Sequence, residues 1–343
     1  MNTETDAVWV AELRKLLEKD GENAFYPDIR YRRSTPSTND WLKEAVQESL
    51  EPAQETVREE QKISDADEGT TREEQRISTA ASDTASGKAA EGTVVIADEQ
   101  TAGKGRSGRI WVSPSGRNIY FSLLLTPDIK PEKATALTLA MGLSVAQGIR
   151  TALSLPAYIK WPNDIIVNKK KVCGMLTEME VRGSQIKAVI IGVGINVNQK
   201  EFPEEIAFKA SSLMLEKAAG DASPMTKKAA GDASPMSEKT AKTADSCEKE
   251  LSRAEILAGV LTAFHENYKK FLETENLEGL KEDYNALLFN VGRAVRIEDP
   301  KGAYTAVSRG IDEKGRLAVE REDGSTVLIS TGEISVRGLY GYV

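Results

Sequence analysis

Apolar residues gather in six short stretches over the first two hundred residues: "TVVIAD", "NIYFSLLL", "AYIKW", "DIIVN", "VCGMLTEMEV" and "IKAVIIGVGINV". Their length, their alternation and their Val and Ile content predict strands. Two longer stretches, "PEKATALTLAMGLSVAQGIRTAL" with Pro131 near its start and "LSRAEILAGVLTAFHENYKKFLE", carry apolar residues at helical spacing. A further amphipathic helix is predicted from about Asp6 to Lys19. From about Val291 the texture changes to "RAVRIED", "YTAVSRGID", "RLAVERED" and "STVLIS", short strands separated by Gly and Asp turns. The pattern predicts an α+β protein: a mixed sheet backed by helices, then a small all-β barrel.

Two segments interrupt this pattern. About residues 50 to 91 are polar and repeat "VREEQKIS" as "TREEQRIS"; about residues 216 to 250 repeat "KAAGDASPM" and run on through "SEKTAKTADSCEKE". Neither can bury enough apolar surface to offset the entropy of ordering, so both are expected to be mobile surface insertions. The expected organisation is an N-terminal helix or extension over 1–29, a main domain over 30–285 holding both insertions, and a C-terminal domain over 290–343.

Composition narrows the chemistry. With 53 acidic against 45 basic residues, a net charge of -8 argues against a general nucleic-acid binder. Cys173 and Cys247 are far apart in unlike surroundings, which leaves no disulfide framework and no thiolate metal site. His265 is the single histidine and lies inside a helical pattern, so a structural role is expected, and a histidine metal site or a Ser-His-Asp relay has little material to work with. The acidic start "MNTETDAVWVAELRKL" does not read as a signal peptide, and no run approaches 18 apolar residues; a cytoplasmic protein is expected.

Against this acidic background, "ADEQTAGKGRSGRIW" sets three glycines among three cations. Gly103, Gly105 and Gly108 satisfy the dinucleotide-binding spacing, but that motif must open a helix, and here Pro114, Gly116 and a predicted strand follow. The glycines instead let backbone N–H groups approach a ligand, and Lys104, Arg106 and Arg109 call for an anion, with phosphate the natural guest. A solvated basic turn is the alternative for this loop taken alone.

A second cluster, "YIKWPNDIIVNKKKVCGMLTEME", stops a strand at Pro162 and turns at Asn163 and Asp164. Lys160 falls in a mostly apolar strand, where it requires a bound anion or an acid partner such as Asp164. Lys171 precedes an apolar run that would let it reach inward from a strand start, or is one more surface charge. In "IGVGINVN", Gly192 and Gly194 break a strong strand, marking a close approach by a ligand or backbone, or a bulge, with Asn196 at the strand's end.

Together "STPSTNDWL", "ADEQTAGKGRSGRIW", "IKWPNDIIVNKKKVCGML", "IGVGINVN" and the later "SRGID" and "GEISVRG" resemble the biotin protein ligase family, over roughly residues 30 to 215 and 250 to 343. The resemblance implies a catalytic domain like that of class II aminoacyl-tRNA synthetases and a C-terminal SH3-like barrel. It also implies two-step chemistry: biotin and ATP form biotinyl-5'-AMP, and a lysine of a biotin carboxyl carrier protein then displaces AMP. By the same resemblance Ser37, Thr38, Asn39 and Gln100 line the biotin pocket, and Lys104, Gly105 and Arg106 fold over biotin and its adenylate. Lys171 is then the leading catalytic residue, assisted by Arg106 and Lys160. Arg106, Arg109, Trp111, Lys160, Asn163, Asn196, Arg309 and Arg337 contact ATP, with Trp111 stacked on adenine, and Asp164 and Asn196 hold Mg²⁺. Relatives often pair through sheet edges, so a homodimer is an option.

Lys104 stands where many relatives have arginine, and Cys173 where a smaller residue such as alanine is usual; neither removes the chemistry. About 30 residues before the pocket are too few for a helix-turn-helix domain, so the form expected is a ligase without a DNA-binding domain. Lipoate ligases and octanoyltransferases carry a histidine near their glycine-rich motif, and no histidine precedes residue 265.

Overall fold

A computed structural model describes residues 8–50, 89–221, 250–299, 302–330 and 335–338. Seven strands form the main sheet: β1 Ile29–Thr35, β2 Val94–Gln100, β3 Ile119–Leu125, β4 Tyr158–Lys160, β5 Asp164–Val167, β6 Lys170–Arg182 and β7 Gln185–Ile195. Their order is β1-β2-β3-β7-β6-β5-β4, with β1 and β2 parallel and every other pair antiparallel. The sheet is therefore mixed, as the sequence predicts.

The pleat sends alternate residues to opposite faces, and each face has its own cover. Val94, Ile96, Ile119, Phe121 and Leu123 pack into the large core shared with α1 (Val8–Lys19), α3 (Thr135–Leu153) and α6 (Arg253–Thr274). Val95, Leu124, Ala188 and Ile190 face the other way, under Trp41, Leu42 and Val46 of α2 (Thr38–Leu50). Helix α3 is long and apolar enough to cross a membrane, but its buried residues are committed to the core. α6 starts on a Ser252 cap, whose hydroxyl accepts the Glu255 N–H at 3.2 Å.

The terminal sheet comprises β8 Ala294–Asp299, β9 Gly302–Ile311, β10 Leu317–Glu320, β11 Thr326–Ile329 and β12 Ser335–Gly338, antiparallel in the order β11-β10-β9-β8-β12. Short helices α4 (Glu204–Ala207), α5 (Leu213–Asp221) and α7 (Lys281–Leu287) complete the described elements. Among the ties that join the parts, Trp161 Nε1 donates to Gly315 C=O at 3.1 Å, Leu277 N–H donates to Glu313 C=O at 2.7 Å, and the Asn285 amide pairs with both backbone groups of Ile311.

Some boundaries differ from expectation. The expected N-terminal helix spans Val8–Lys19 and buries Trp9, Val10, Leu13 and Leu17 in the main core. The first interruption ends before Glu91, whose carboxylate accepts the Tyr268 hydroxyl at 2.7 Å. The second begins later than residue 216: Glu216 is buried in α5 and accepts the Asn168 amide at 2.8 Å. The repeats themselves and Cys247 lie outside the described residues. His265 is structural, with Nδ1 2.5 Å from Glu22 and its ring stacked on Phe25 at 4.3 Å.

Candidate active site

The site grows from the α2 face of the sheet, where β7 exchanges its apolar residues for glycine. Ala188 and Ile190 support α2; two and four residues on, Gly192 and Gly194 leave holes on the same face. Ser122, Gly192 and Leu176 form one row across β3, β7 and β6, and Asn39 lies over it. A Cβ on Gly192 would sit 2.2 Å from Asn39 Oδ1. In the next row Gly194 and Gly174 are register partners, and Trp111 lies over both: Cβ atoms there would meet its ring at 2.4 and 3.0 Å. The two glycines of "IGVGINVN" thus admit two side chains of the site.

The glycine loop folds as a narrow hairpin. Gly103 C=O accepts Trp111 N–H at 2.9 Å, Gly105 N–H donates to Arg109 C=O at 2.7 Å, and the chain reverses through Ser107 and Gly108, both at positive φ. No helix opens here long enough to bind pyrophosphate, which removes the dinucleotide reading. The hairpin points its cations in different directions. Arg106 turns into the cleft, where Nη1 donates to Asn163 Oδ1 at 3.0 Å, and burial lowers its pKa from the ordinary guanidinium value. Lys104 reaches Asp40 in the first turn of α2 at 2.7 Å, and that hydrogen bond raises the ammonium pKa. Arg109 remains exposed on the outer arm.

Lys171 enters from the opposite wall. Its backbone is clamped by the segment before α5: its N–H donates to Lys209 C=O at 2.7 Å and its C=O accepts Ser211 N–H at 2.9 Å. Its Nζ forms an ion pair with Asp164 at 2.6 Å and lies 5.2 Å from the centre of the Trp111 ring. The indole Nε1 is buried and has no hydrogen-bond partner among the described residues. Behind Lys171, the fully buried Cys173 has its thiol pKa pushed up by desolvation, so it is an inert packing residue.

One cleft brings together Ser37, Thr38, Asn39, Gln100, Lys104, Gly105, Arg106, Trp111, Asn163 and Lys171. The other expected residues are elsewhere. Lys160 is buried in β4, opposite Asp164 in register, and does not line the cleft. Asn196 is buried in the wall behind Lys171: its amide donates to Ser211 C=O at 3.0 Å, its N–H to Val172 C=O, and its C=O accepts Leu213 N–H. That geometry makes Asn196 a clamp on the wall. Arg309 pairs with Glu320 at 2.8 Å on the terminal sheet and does not line the cleft; the backbone of Arg337 in β12 pairs with Arg296 of β8, and its side chain lies outside the described residues.

Several site residues are silent in the sequence. Asp40 is the partner of Lys104, Ser122 lies within the apolar run "NIYFSLLL", and Glu178 follows it across the sheet, with Asn39 Nδ2 donating to it at 2.7 Å. Only the odd hydroxyl in an apolar strand signalled Ser122. Glu178 sits among alternating residues of "GMLTEME", a pattern shared by any half-exposed strand.

The cleft has two chemically distinct ends. Neutral donors and acceptors from Ser37, Thr38, Asn39 and Gln100 line one, and Arg106 and Lys171 bring two cations to the other. Such a cleft suits a ligand with a neutral polar head and an anionic tail, and next to it a second, anionic reactant.

The biotin/lipoate A/B protein ligase family matches residues 70–196, and the biotin protein ligase C-terminal domain matches residues 291–337. The bifunctional ligase/repressor BirA of Bacillus subtilis (strain 168) is 35% identical over 246 residues, 71% of this chain and 66% of the relative. The chain thus spans just under two thirds of that relative. The biotin–[acetyl-CoA-carboxylase] ligase of Mycobacterium tuberculosis is 31% identical over 257 residues, 73% of this chain and 81% of the relative. Among solved structures, the biotin protein ligase of Aquifex aeolicus in complex with biotin and ATP aligns over 91% of this chain and 99% of its own, with a TM-score of 0.62 at 27% identity. With two domains matched in order and a relative covered over most of its length, the chain belongs to the biotin protein ligase family.

Proposed function

We propose that this protein is an ATP-dependent biotin protein ligase, which activates biotin as biotinyl-5'-AMP and transfers it to a lysine of a biotin carboxyl carrier domain. The observation that carries this reading is the cleft in which Arg106 and Lys171, from opposite walls, meet beside a neutral polar end. In the first step a carboxylate oxygen of biotin attacks the α-phosphorus of ATP and pyrophosphate leaves. In the second the carrier lysine amine attacks the acyl carbon and AMP leaves.

Both reactants of the first step are anions, so their approach is opposed by charge. Lys171 and Arg106 offset that repulsion, and a single oriented donor of this kind contributes about 3 kcal/mol to transition-state stabilisation. Thr38, Asn39 and Gln100 hold the ureido ring, which fixes the carboxylate near Lys171. Trp111, whose ring lines the cleft 5.2 Å from Lys171 Nζ, is suited to stack on adenine. The hairpin carrying Lys104 and Arg106 shields the mixed anhydride from water.

Asp164 fits Mg²⁺ as a carboxylate beside the cleft's cations, and Asn196, whose Nδ2 donates to Ser211 C=O, keeps its Oδ1 as an oxygen donor. When bound, the ion supplies charge that neutralises phosphate oxygens, and Asp164 is the residue to hold it, exchanging its pairing with Lys171. We read the main sheet and its helices as a class II aminoacyl-tRNA synthetase-like domain, the terminal sheet as an SH3-like unit, and the protein as cytoplasmic and able to pair as a homodimer. The test is to incubate the protein with biotin, ATP and candidate carrier domains, and to find by mass which lysine gains the biotinyl group. Acylation of a carrier lysine by lipoate instead of biotin would contradict the reading.

A further inference from the structure

The ladder that pairs β3 with β7 ends at Ile119 and Ile195. Past that end the two chains become the segments that carry the site. Before Ile119 runs the outer arm of the hairpin, with Trp111. After Ile195 runs the wall behind Lys171, where Asn196 N–H donates to Val172 C=O at 2.8 Å and Met214 N–H donates to Val197 C=O at 3.0 Å. Asn198 N–H donates to Arg117 C=O at 3.0 Å, and the fully buried side chain of Asn118 extends the connection from there.

Every polar atom of that side chain is committed. Oδ1 accepts Val197 N–H at 2.9 Å, and because a backbone N–H can only donate, this fixes which way the amide faces. The two protons of Nδ2 go to Tyr120 Oη and Gln199 Oε1, both at 2.8 Å. Tyr120 Oη in turn donates to Pro114 C=O at 3.2 Å, in the outer arm, and Gln199 Nε2 donates to Glu201 C=O at 2.7 Å. One side chain thus ties the arm of Trp111, through Tyr120, to the wall of Lys171, through Val197. The spacing of those two segments matters at the site, where Lys171 Nζ from one lies 5.2 Å from the Trp111 ring of the other. An aspartate of the same length would keep only acceptors here, and a leucine neither donor nor acceptor.

We propose that Asn118 is a positioning residue for the activation step: it fixes the spacing of the two segments and so sets where the Lys171 ammonium stands. The inference rests on the biotin reading above and adds to it a residue that does not line the cleft and touches no reactant.

The experiment measures biotin-dependent pyrophosphate exchange in the intact protein and in Asn118→Leu, Asn118→Asp and Asn198→Leu. Asn198 is the control: it is also buried, but its side chain exchanges hydrogen bonds of 3.0 and 2.9 Å with the Leu251 backbone, away from the tie. Asn118→Leu should lower kcat about tenfold with the KM for biotin within about threefold, because small errors of placement fall on the reacting groups. Asn118→Asp, which keeps the acceptor for Val197 N–H, should lower kcat by less. Asn198→Leu should lower the urea midpoint as Asn118→Leu does, yet hold kcat within about twofold of the parent. Trp111 emission, taken as the difference between each protein and its Trp111→Phe counterpart, should shift in Asn118→Leu and not in Asn198→Leu. A parental kcat in Asn118→Leu, a rise in the KM for biotin alone, or an equal loss of kcat in Asn198→Leu would each overturn the proposal. If Asn118→Leu does not fold, Asn118→Asp decides against the same control: a lower kcat than in Asn198→Leu supports the proposal, and an equal one overturns it. An inactive parent would instead contradict the function proposed above, so the two failures are distinguishable.

Discussion

Lys171 Nζ and Asp164 Oδ1 face each other 2.6 Å apart across strands β5 and β6, and the lysine lines the same cleft that receives Arg106 from the glycine hairpin. The pair holds the lysine in place and satisfies both charges. Lys171→Ala removes the cation that we propose meets the reacting carboxylate and phosphate. Biotin-dependent pyrophosphate exchange should fall by about 10²-fold or more, while circular dichroism and the folding transition stay close to the parent's. Exchange at a near-parental single-turnover rate would remove Lys171 from the chemistry.

The glycines of β7 separate the two halves of the cleft. Gly192→Ala drives a methyl into Asn39, and Gly194→Ala drives one into the Trp111 ring. The first should raise the KM for biotin and the second the KM for ATP, each by about tenfold, a shift near 1.4 kcal/mol. Gly194→Ala should also change the tryptophan fluorescence of the empty protein. Equal effects of both variants on both substrates would contradict the assignment of the two rows.

Trp161, like Lys160, is a residue of "KWPND" that does not line the cleft. Its ring is buried and its Nε1 donates to Gly315 C=O in the turn between β9 and β10. Trp161→Phe leaves that buried carbonyl without its donor, so the urea unfolding transition should lose about 1–3 kcal/mol while the KM values change little. An unchanged midpoint would show that water replaces the indole.

Alkaline pH should unfold the protein from within. Desolvation by burial raises the pKa of Cys173, Tyr26, Tyr120, Tyr268 and Tyr284, with Glu22 adding to the rise at Tyr26 and Glu91 at Tyr268. In the unfolded chain these groups ionise near about 8.5 for Cys and about 10 for Tyr, below their folded values. The folded state then keeps protons that the unfolded state releases, so stability is complete below about pH 8.5 and falls as pH rises beyond it. Urea midpoints measured from neutral pH upward should show the fall steepening near pH ~10. A flat profile, with tyrosinate absorbance appearing at ordinary pH in the folded protein, would contradict this.

Much of the fold is legible in the chain because its strands are written in Val and Ile and its two long helices in apolar spacing. The edge strand β1, "IRYRRST", is not, since exposed arginines interrupt its alternation, and α2 is hidden because "STNDWL" runs directly into a polar segment. The cations of the cleft were legible for a similar reason: Lys104, Arg106 and Lys171 stand beside glycines or apolar runs where free charge is costly. Direction was not. Whether Asn196 faces the cleft or the wall depends on the segment ending at Leu213, and whether Glu178 meets Asn39 depends on register across the sheet. Neither relation is expressed in local spacing.

The central claim is that cations from opposite walls of one cleft activate the carboxylate of biotin on ATP. The most direct measurement is exchange of labelled pyrophosphate into ATP by the intact protein, with biotin, with lipoate and with neither. The account predicts exchange with biotin alone, reduced to background in Lys171→Ala. Exchange that proceeds without biotin, or with lipoate in its place, would contradict it.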